Sequence, residues 1–246
     1  MKYQQFYEKG YQIFENILKP EEILNYKQIA FNILKKQENE FGIDKLKLIN
    51  EKDMIRSPFL YNEKFKDLFY NQFAMKVVED ILGEYAILSL QNGIVVSPNQ
   101  NHHQSFFHRD IIHQEFISST PLAINLYYCL DDYNEKNGGT TFIPHSHKKE
   151  KLNLSDKCET PEVKAGSVIL FDSMVFHKAG TNNTDRFRCG INNMYTLPFI
   201  KQQINYTICL KKKTNDSKFN RLMGFESREF LNVKDFRNYR LKRIQK

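Results

Sequence analysis

The sequence predicts a mainly β domain braced by an N-terminal α layer, in the manner of a β-sandwich or jelly roll. Three observations carry that reading. Residues 1–83 repeat apolar positions at helical spacing. From Tyr85 onward, short segments rich in Val, Ile, Tyr and Thr alternate with Gly, Pro and Asn. The 246 residues are 41% hydrophobic, enough for one domain with a real core, and no repeat or linker divides them.

The elements follow in order. In "KPEEILNYKQIAFNILKKQ", residues 19–37, Pro20 suits a first turn, and acids at the front with lysines at the back suit the helix dipole. Ile23, Tyr26, Ile29, Ala30, Ile33 and Leu34 recur at helical spacing. A second helix is expected over "EKFKDLFYNQFAMKVVEDILG", residues 63–83, closed by Gly83. Strands are expected in "YAILSLQNGIVVSP", "PLAINLYYCLDDY", "GGTTFIPHSH", "GSVILFDSMVFH" and "RCGINNMYTLPF", so that residues 85–200 form the β core. Residues 201–246 then form a basic C-terminal cap on the single domain, 1–246.

Charge and cysteines narrow the function classes. The net charge is +7, but much of it sits in the "KKK" at 211–213 and in the last ten residues. A solvated basic face accounts for this, and nucleic acid is not the expected partner. Cys129, Cys158, Cys189 and Cys209 form no CxxC pair and read as reduced thiols. No apolar run reaches the ~20 residues needed to span a bilayer. The first residues carry no apolar signal core, so a cytoplasmic protein is expected. Oligomeric state is not legible.

The chemistry begins in "SFFHRDIIHQEF", residues 105–116. On a strand, His108 and Asp110 would share one face. Imidazole and carboxylate together suit a divalent first-row metal, and two His with one carboxylate is the ligand set of non-haem Fe(II) oxygenases. His177, delivered by the Gly-led apolar segment 166–177, is the candidate third ligand. Arg188, eleven residues on, is a candidate to grip a carboxylate bidentately.

The HxD pair, "NGGTTFIPHSHK" at 137–148, the distal His with an Arg eleven residues later, and the opening "EKGYQIFENILKPEEI" together resemble the phytanoyl-CoA dioxygenase family. The resemblance spans roughly residues 8 to 200. It implies a double-stranded β-helix, cupin-like, using Fe(II), 2-oxoglutarate and O2. It implies that His108, Asp110 and His177 hold iron and that Arg188 holds the distal carboxylate of 2-oxoglutarate. It places Asn125 and Tyr127 on the cosubstrate pocket, and Gln91 toward substrate or cosubstrate.

Two positions depart from the family pattern. His145 stands where relatives have Gly in "PGSH"; either the turn departs from the usual one or His145 reaches toward substrate. Ala179 stands where relatives often carry a small hydroxyl, and Thr141 is the expected substitute donor. The intact Asp110 implies hydroxylation rather than halogenation, with release of succinate and CO2. His103 and His113 are further candidates near a small-molecule substrate, and the chain's positive charge favours an anionic one. His102 reads as a solvated loop residue, His147 as a turn residue bonded to backbone, and Arg109 as facing away from the metal. Two other classes stay open at this stage: a metal- or carboxylate-binding sensor on the same fold, and a basic nucleic-acid-binding module.

Overall fold

Three central strands carry almost no exposed residue, and the sheet they build positions everything else. The computed structural model describes residues 2–100, 102–111, 113–153, 155–227 and 229–244. In chain order these give α1 (Gln4–Lys9), β1 (Tyr11–Phe14), α2 (Pro20–Phe41), α3 (Ile43–Leu48) and β2 (Met54–Arg56). Next come α4 (Gln72–Leu82), β3 (Ile87–Val96), β4 (Ala123–Cys129), β5 (Thr140–Phe142) and β6 (Val168–Asp172). The last are β7 (His177–Ala179), β8 (Arg188–Thr196), α5 (Tyr206–Leu210), α6 (Ser217–Leu222) and α7 (Val233–Ile244).

Six strands form one antiparallel sheet in the order β1-β6-β4-β8-β3-β2, and β5 pairs with β7 in a second, two-stranded sheet. This is the expected mainly β, double-stranded β-helix architecture with an N-terminal α layer. Among the described residues, no helix is long and apolar enough to cross a membrane.

Side-chain alternation divides the large sheet into two working faces. Leu88, Val95, Leu126, Leu170, Ile191 and Tyr195 face the helices and form the main core. Ile94, Val96, Tyr127, Cys129, Ile169 and Phe171 face the other way, with Met54 from the edge strand. Each of these buried aliphatic or aromatic side chains contributes roughly 1.5–3 kcal/mol of burial.

The N-terminal layer is less purely helical than expected. β1 and β2 close the two edges of the large sheet. The helix expected over 63–83 is split into a 3-10 turn, Glu63–Leu68, and α4. Asn71 causes the break: its side chain accepts from the Ala74 N–H and starts a new helix. The basic tail ends in α7, which buries no residue.

Gln91 is a correction. It was expected to face substrate or cosubstrate, yet it is 0% exposed on the helix side of the sheet. Its Nε2 donates to Phe65 O at 2.9 Å and to Asn193 Oδ1 at 2.8 Å, and its Oε1 accepts from the Phe59 N–H at 3.0 Å. The reason is a register shift between Leu88 and Leu90. One extra residue reverses which side chains face which way. Asn92 and Ile94 therefore take the site face, and Gln91 becomes a polar bolt between β3, β8 and the 3-10 turns. Replacing it as Gln91→Leu strands a buried N–H and a buried C=O. The expected loss is about 1–3 kcal/mol in urea unfolding; an unchanged midpoint would refute the bolt.

Candidate metal centre and the cavity around it

His108 and Asp110 do not lie on a regular strand. They are laced to the start of β7 and to the segment before it by single backbone bonds. His108 and His177 exchange N–H···O bonds at 3.0 and 3.1 Å, and the Asp110 N–H donates to Ser173 O at 2.9 Å. That lacing brings the two histidines and the acid into one corner. Ligand atoms of His108, Asp110 and His177 all lie within 4.8 Å of one another.

The ring orientations are set from behind. His108 Nδ1 faces Phe106 O at 2.8 Å and His177 Nδ1 faces Val175 O at 3.0 Å. Each Nδ1 therefore carries the proton, and each Nε2 keeps a lone pair aimed at the acid. The Nε2 atoms stand 3.8 and 3.7 Å from Asp110 Oδ1. Those distances are too long for hydrogen bonds but suit three ligands of one ion, which sit at about 2.0–2.2 Å from it. His108 Nε2 and Asp110 Oδ2 are buried and have no partner. Burial pushes His177 below its ordinary pKa, against the pull of the Asp110 carboxylate, so the ring is neutral and ready to ligate.

Arg188 shares this cavity. It is 1% exposed, and no carboxylate pairs with it among the described residues. Its guanidinium lies 4.2 Å from the Tyr133 ring centroid, and Nη1 donates to Tyr127 Oη at 3.4 Å. Burial opposes its charge, but the two tyrosine hydroxyls outweigh that and keep it protonated. Its Nε has no partner. Gly190 makes the cradle possible: a Cβ there would lie 2.2 Å from Tyr133 Oη and 2.4 Å from Tyr127 Cε1.

The other expected residues divide. Tyr127 lines the cavity with the triad, Arg188 and Asn192; the space they enclose is narrow, about 40 Å³. Asn125 lies on the same face, but both ends of its amide are taken, by Ser173 Oγ at 2.8 Å and Asn192 Nδ2 at 2.9 Å. It supports Asn192 rather than lining the cavity. Thr141 faces away and bonds Thr160 at 2.7 Å. Its neighbour Thr140 pairs with Ala179 and lines the cavity in its place. His145 does not reach substrate: it sits at φ 64°, its N–H donates to Lys9 O, and its Nδ1 faces Glu8 O at 2.7 Å. It pins the turn to α1.

His103 and His113 are exposed and do not line the cavity. Arg109 faces away, as expected, and donates to the carbonyls of Met174, Ser146, Lys149 and Glu150. His147 faces the Tyr7 carbonyl at 3.3 Å, as a turn residue should.

Sequence reasoning missed Asn192 and misplaced His102. Asn192 was legible, because Arg188, Gly190 and Asn192 alternate onto one face of β8. Its Oδ1 is buried without a partner. His102 is 2% exposed, and its Nδ1 accepts the Gln104 N–H at 3.2 Å. Burial, with His103, Arg188 and His108 nearby, pushes its pKa down to about 3, so it is a neutral ring with its proton on Nε2. Nothing in the polar run around it signalled that burial.

Comparison with known proteins agrees with this geometry. The model of the phytanoyl-CoA dioxygenase (PhyH) family matches residues 6–190. The uncharacterized protein Rv1501 of Mycobacterium tuberculosis is 25% identical over 237 residues, 92% of this chain and 87% of its own length. Dioxygenase af480 of Aspergillus fumigatus is 24% identical over 163 residues, 62% of this chain and 51% of its own. Among solved structures, EctD from S. alaskensis superposes with a TM-score of 0.67 at 20% identity, over 80% of this chain and 76% of its own. EctD has been solved with bound Fe, and with 2-oxoglutarate and 5-hydroxyectoine. At that identity the likeness shows a shared fold.

If the corner holds a first-row ion, Co(II) should produce a ligand-field absorption that saturates at one equivalent. His177→Ala should weaken that binding at least about 100-fold, since even supporting residues behind ligands matter by 10–100-fold. Equal titration curves for the variant and the parent would exclude His177 as a ligand.

Proposed function

The chain belongs to the phytanoyl-CoA dioxygenase family, and from that premise we propose that it is a non-haem Fe(II)- and 2-oxoglutarate-dependent dioxygenase that hydroxylates a C–H bond of a small molecule. One observation carries the reading above others: a His/Asp/His face and a buried guanidinium that forms no ion pair among the described residues share one cavity.

The donor set fits the groups required. Two imidazoles and a carboxylate on one face leave the opposite side of an ion open. Arg188 fits the far carboxylate of a dicarboxylate chelated at that open side. Asp110, the carboxylate that shares the cavity, faces the two histidines and makes no ion pair with Arg188, so an anionic cosubstrate is a partner that suits the guanidinium. Tyr127 and Tyr133 hold the guanidinium plane in place. Thr140, across from Ala179, supplies the small hydroxyl that position 179 lacks. Gln104 is the residue of the preceding loop that walls this cavity.

With Fe(II), 2-oxoglutarate and O2 bound, the chemistry supplied at this face is coupled oxidation: R–H, oxoglutarate and O2 give R–OH, succinate and CO2. The chain's own residues bind, orient and shield. Phe171 and Phe142, packed on the His177 ring at 4.9 and 6.0 Å between centroids, keep water from its back. Asp110 retains the carboxylate that relatives lose when they halogenate, and this favours hydroxylation.

Purified chain given Fe(II), ascorbate and 2-oxoglutarate should form succinate above an Asp110→Ala control. Absence of succinate across a broad panel of small molecules would end the enzyme reading. Gly190→Ala should push the two tyrosines off Arg188 and raise KM for oxoglutarate roughly tenfold or more, since 1.4 kcal/mol of lost contact is a factor of ten. Co(II) affinity should not change.

A further inference from the structure

The chain's positive charge is gathered in one place. Residues 201–246 hold thirteen Lys and Arg against four Asp and Glu, a net of +9, so the 200 residues before them carry −2. Within that segment α7 holds five basic residues and one acid, Asp235. We propose that α7 is an interfacial helix that docks the protein on an anionic lipid surface. The proposal is independent of the oxygenase reading: it concerns where the protein works, not what it oxidises.

Two properties of α7 call for a partner. It is 12 residues long and buries none of them. Helices shorter than about 12–15 residues are marginal in water unless a face is packed. Among the described residues, its ring contacts outside the helix run to Phe230, just before it, at 5.2 Å between centroids to Phe236 and 5.1 Å to Tyr239. Its large aliphatic side chains also stand in the open: Leu241 is 54% exposed, Val233 64% and Ile244 81%. A single exposed apolar residue is ordinary, but several on one side of a helix mark an interaction surface.

The arrangement around the helix says what that surface fits. At about 100° per residue, Phe236, Val233, Ile244 and Leu241 fall within an arc of about 140°. Arg237 and Arg240 lie inside the same arc, and Arg243 and Lys234 border it. The opposite side carries Asn238, Lys242 and the one acid, Asp235. Apolar and cationic groups thus share a side, whereas a helix made for a protein core turns its charges away from the apolar stripe. The guanidiniums stay near the rings: that of Arg240 lies 5.8 Å from the Phe236 centroid and that of Arg243 6.0 Å from the Tyr239 centroid. Long basic side chains lay their stems along apolar surface and carry the charge to its edge. Among the described residues, the five cations of α7 form no ion pair, whereas Lys201, Lys218 and Arg221 pair with Glu229, Glu79 and Glu84.

The partner must therefore be anionic and apolar at once. Nucleic acid offers phosphates to the arginines but no apolar layer to Val233, Leu241 and Ile244. An anionic bilayer offers both, headgroup charge at its surface and the acyl boundary a few Å deeper. The helix is too short and too charged to cross that bilayer, so it lies in the plane of the interface.

The test uses the full chain and sedimenting vesicles, either of phosphatidylcholine alone or of equal parts phosphatidylcholine and phosphatidylglycerol. Affinity for the mixed vesicles should exceed that for phosphatidylcholine at least about tenfold and should fall as salt is raised. Arg237→Glu with Arg240→Glu should weaken it at least about tenfold. Lys35→Glu with Lys45→Glu, the same charge change on exposed residues of α2 and α3, should leave it nearly as it was. Leu241→Gln with Ile244→Gln keeps the charge and should still weaken binding several-fold. Because α7 buries nothing, these changes leave the core intact. The chain has no Trp, so Phe236→Trp gives a single reporter whose emission should move to shorter wavelength on the mixed vesicles. The proposal is overturned if the mixed vesicles bind no better than phosphatidylcholine, or if the α2/α3 pair of changes costs as much as the arginine pair. It is equally overturned if the Leu241 and Ile244 changes have no effect, or if RNA at equal phosphate concentration binds more tightly than the mixed vesicles.

Discussion

A buried guanidinium with no acid beside it is the constraint on which the rest of this structure turns. Leaving such a charge unmatched costs several kcal/mol even after relaxation. The fold spends considerable structure on keeping it there. β8 is the central strand of the large sheet, paired on both sides, and Arg188 is its first residue. Tyr133 lies under the guanidinium and Tyr127 beside it, and Gly190 is left without a side chain so that both rings fit. An interior charge held so firmly, with no ion pair among the described residues, is what a ligand of opposite charge would compensate.

The metal corner is built by different means. His177 begins a regular strand, whereas His108 and Asp110 hang on an irregular segment fixed by three backbone bonds. Carbonyls behind each imidazole choose the tautomer. Ligand geometry is thus carried by backbone, and side chains are left with their lone pairs free. The orphaned polar atoms gather here: His108 Nε2, Asp110 Oδ2, Arg188 Nε, Asn192 Oδ1 and His102 Nε2. Unsatisfied buried groups are rare in native proteins, and a cluster of them marks the place where something binds.

Much of this was legible in the sequence. The HxD pair, the distal His and the Arg eleven residues on carry short-range signals, and the fold brought all four into one cavity. Strand identity was legible too, because β3, β4, β6 and β8 are buried on both faces and read as short β-branched and aromatic runs bounded by turn residues. Facing was harder. A single register shift near Ser89 turned Gln91 from the site to the core, and no residue type announces such a shift. Thr141 and Thr140 differ by one position and hence by one face. His102 and His145 sit in irregular segments, where burial follows from distant packing and not from period.

The central claim is that Arg188 and the His/Asp/His corner together hold one dicarboxylate across a metal ion. The most direct measurement is an anaerobic titration of the Fe(II)-loaded chain with 2-oxoglutarate, followed by the charge-transfer absorption of the chelate. The account predicts a band that saturates at one equivalent and that Arg188→Gln reaches only at concentrations at least tenfold higher. A band that never forms, or one that Arg188→Gln reaches at the same oxoglutarate concentration as the parent, would contradict it.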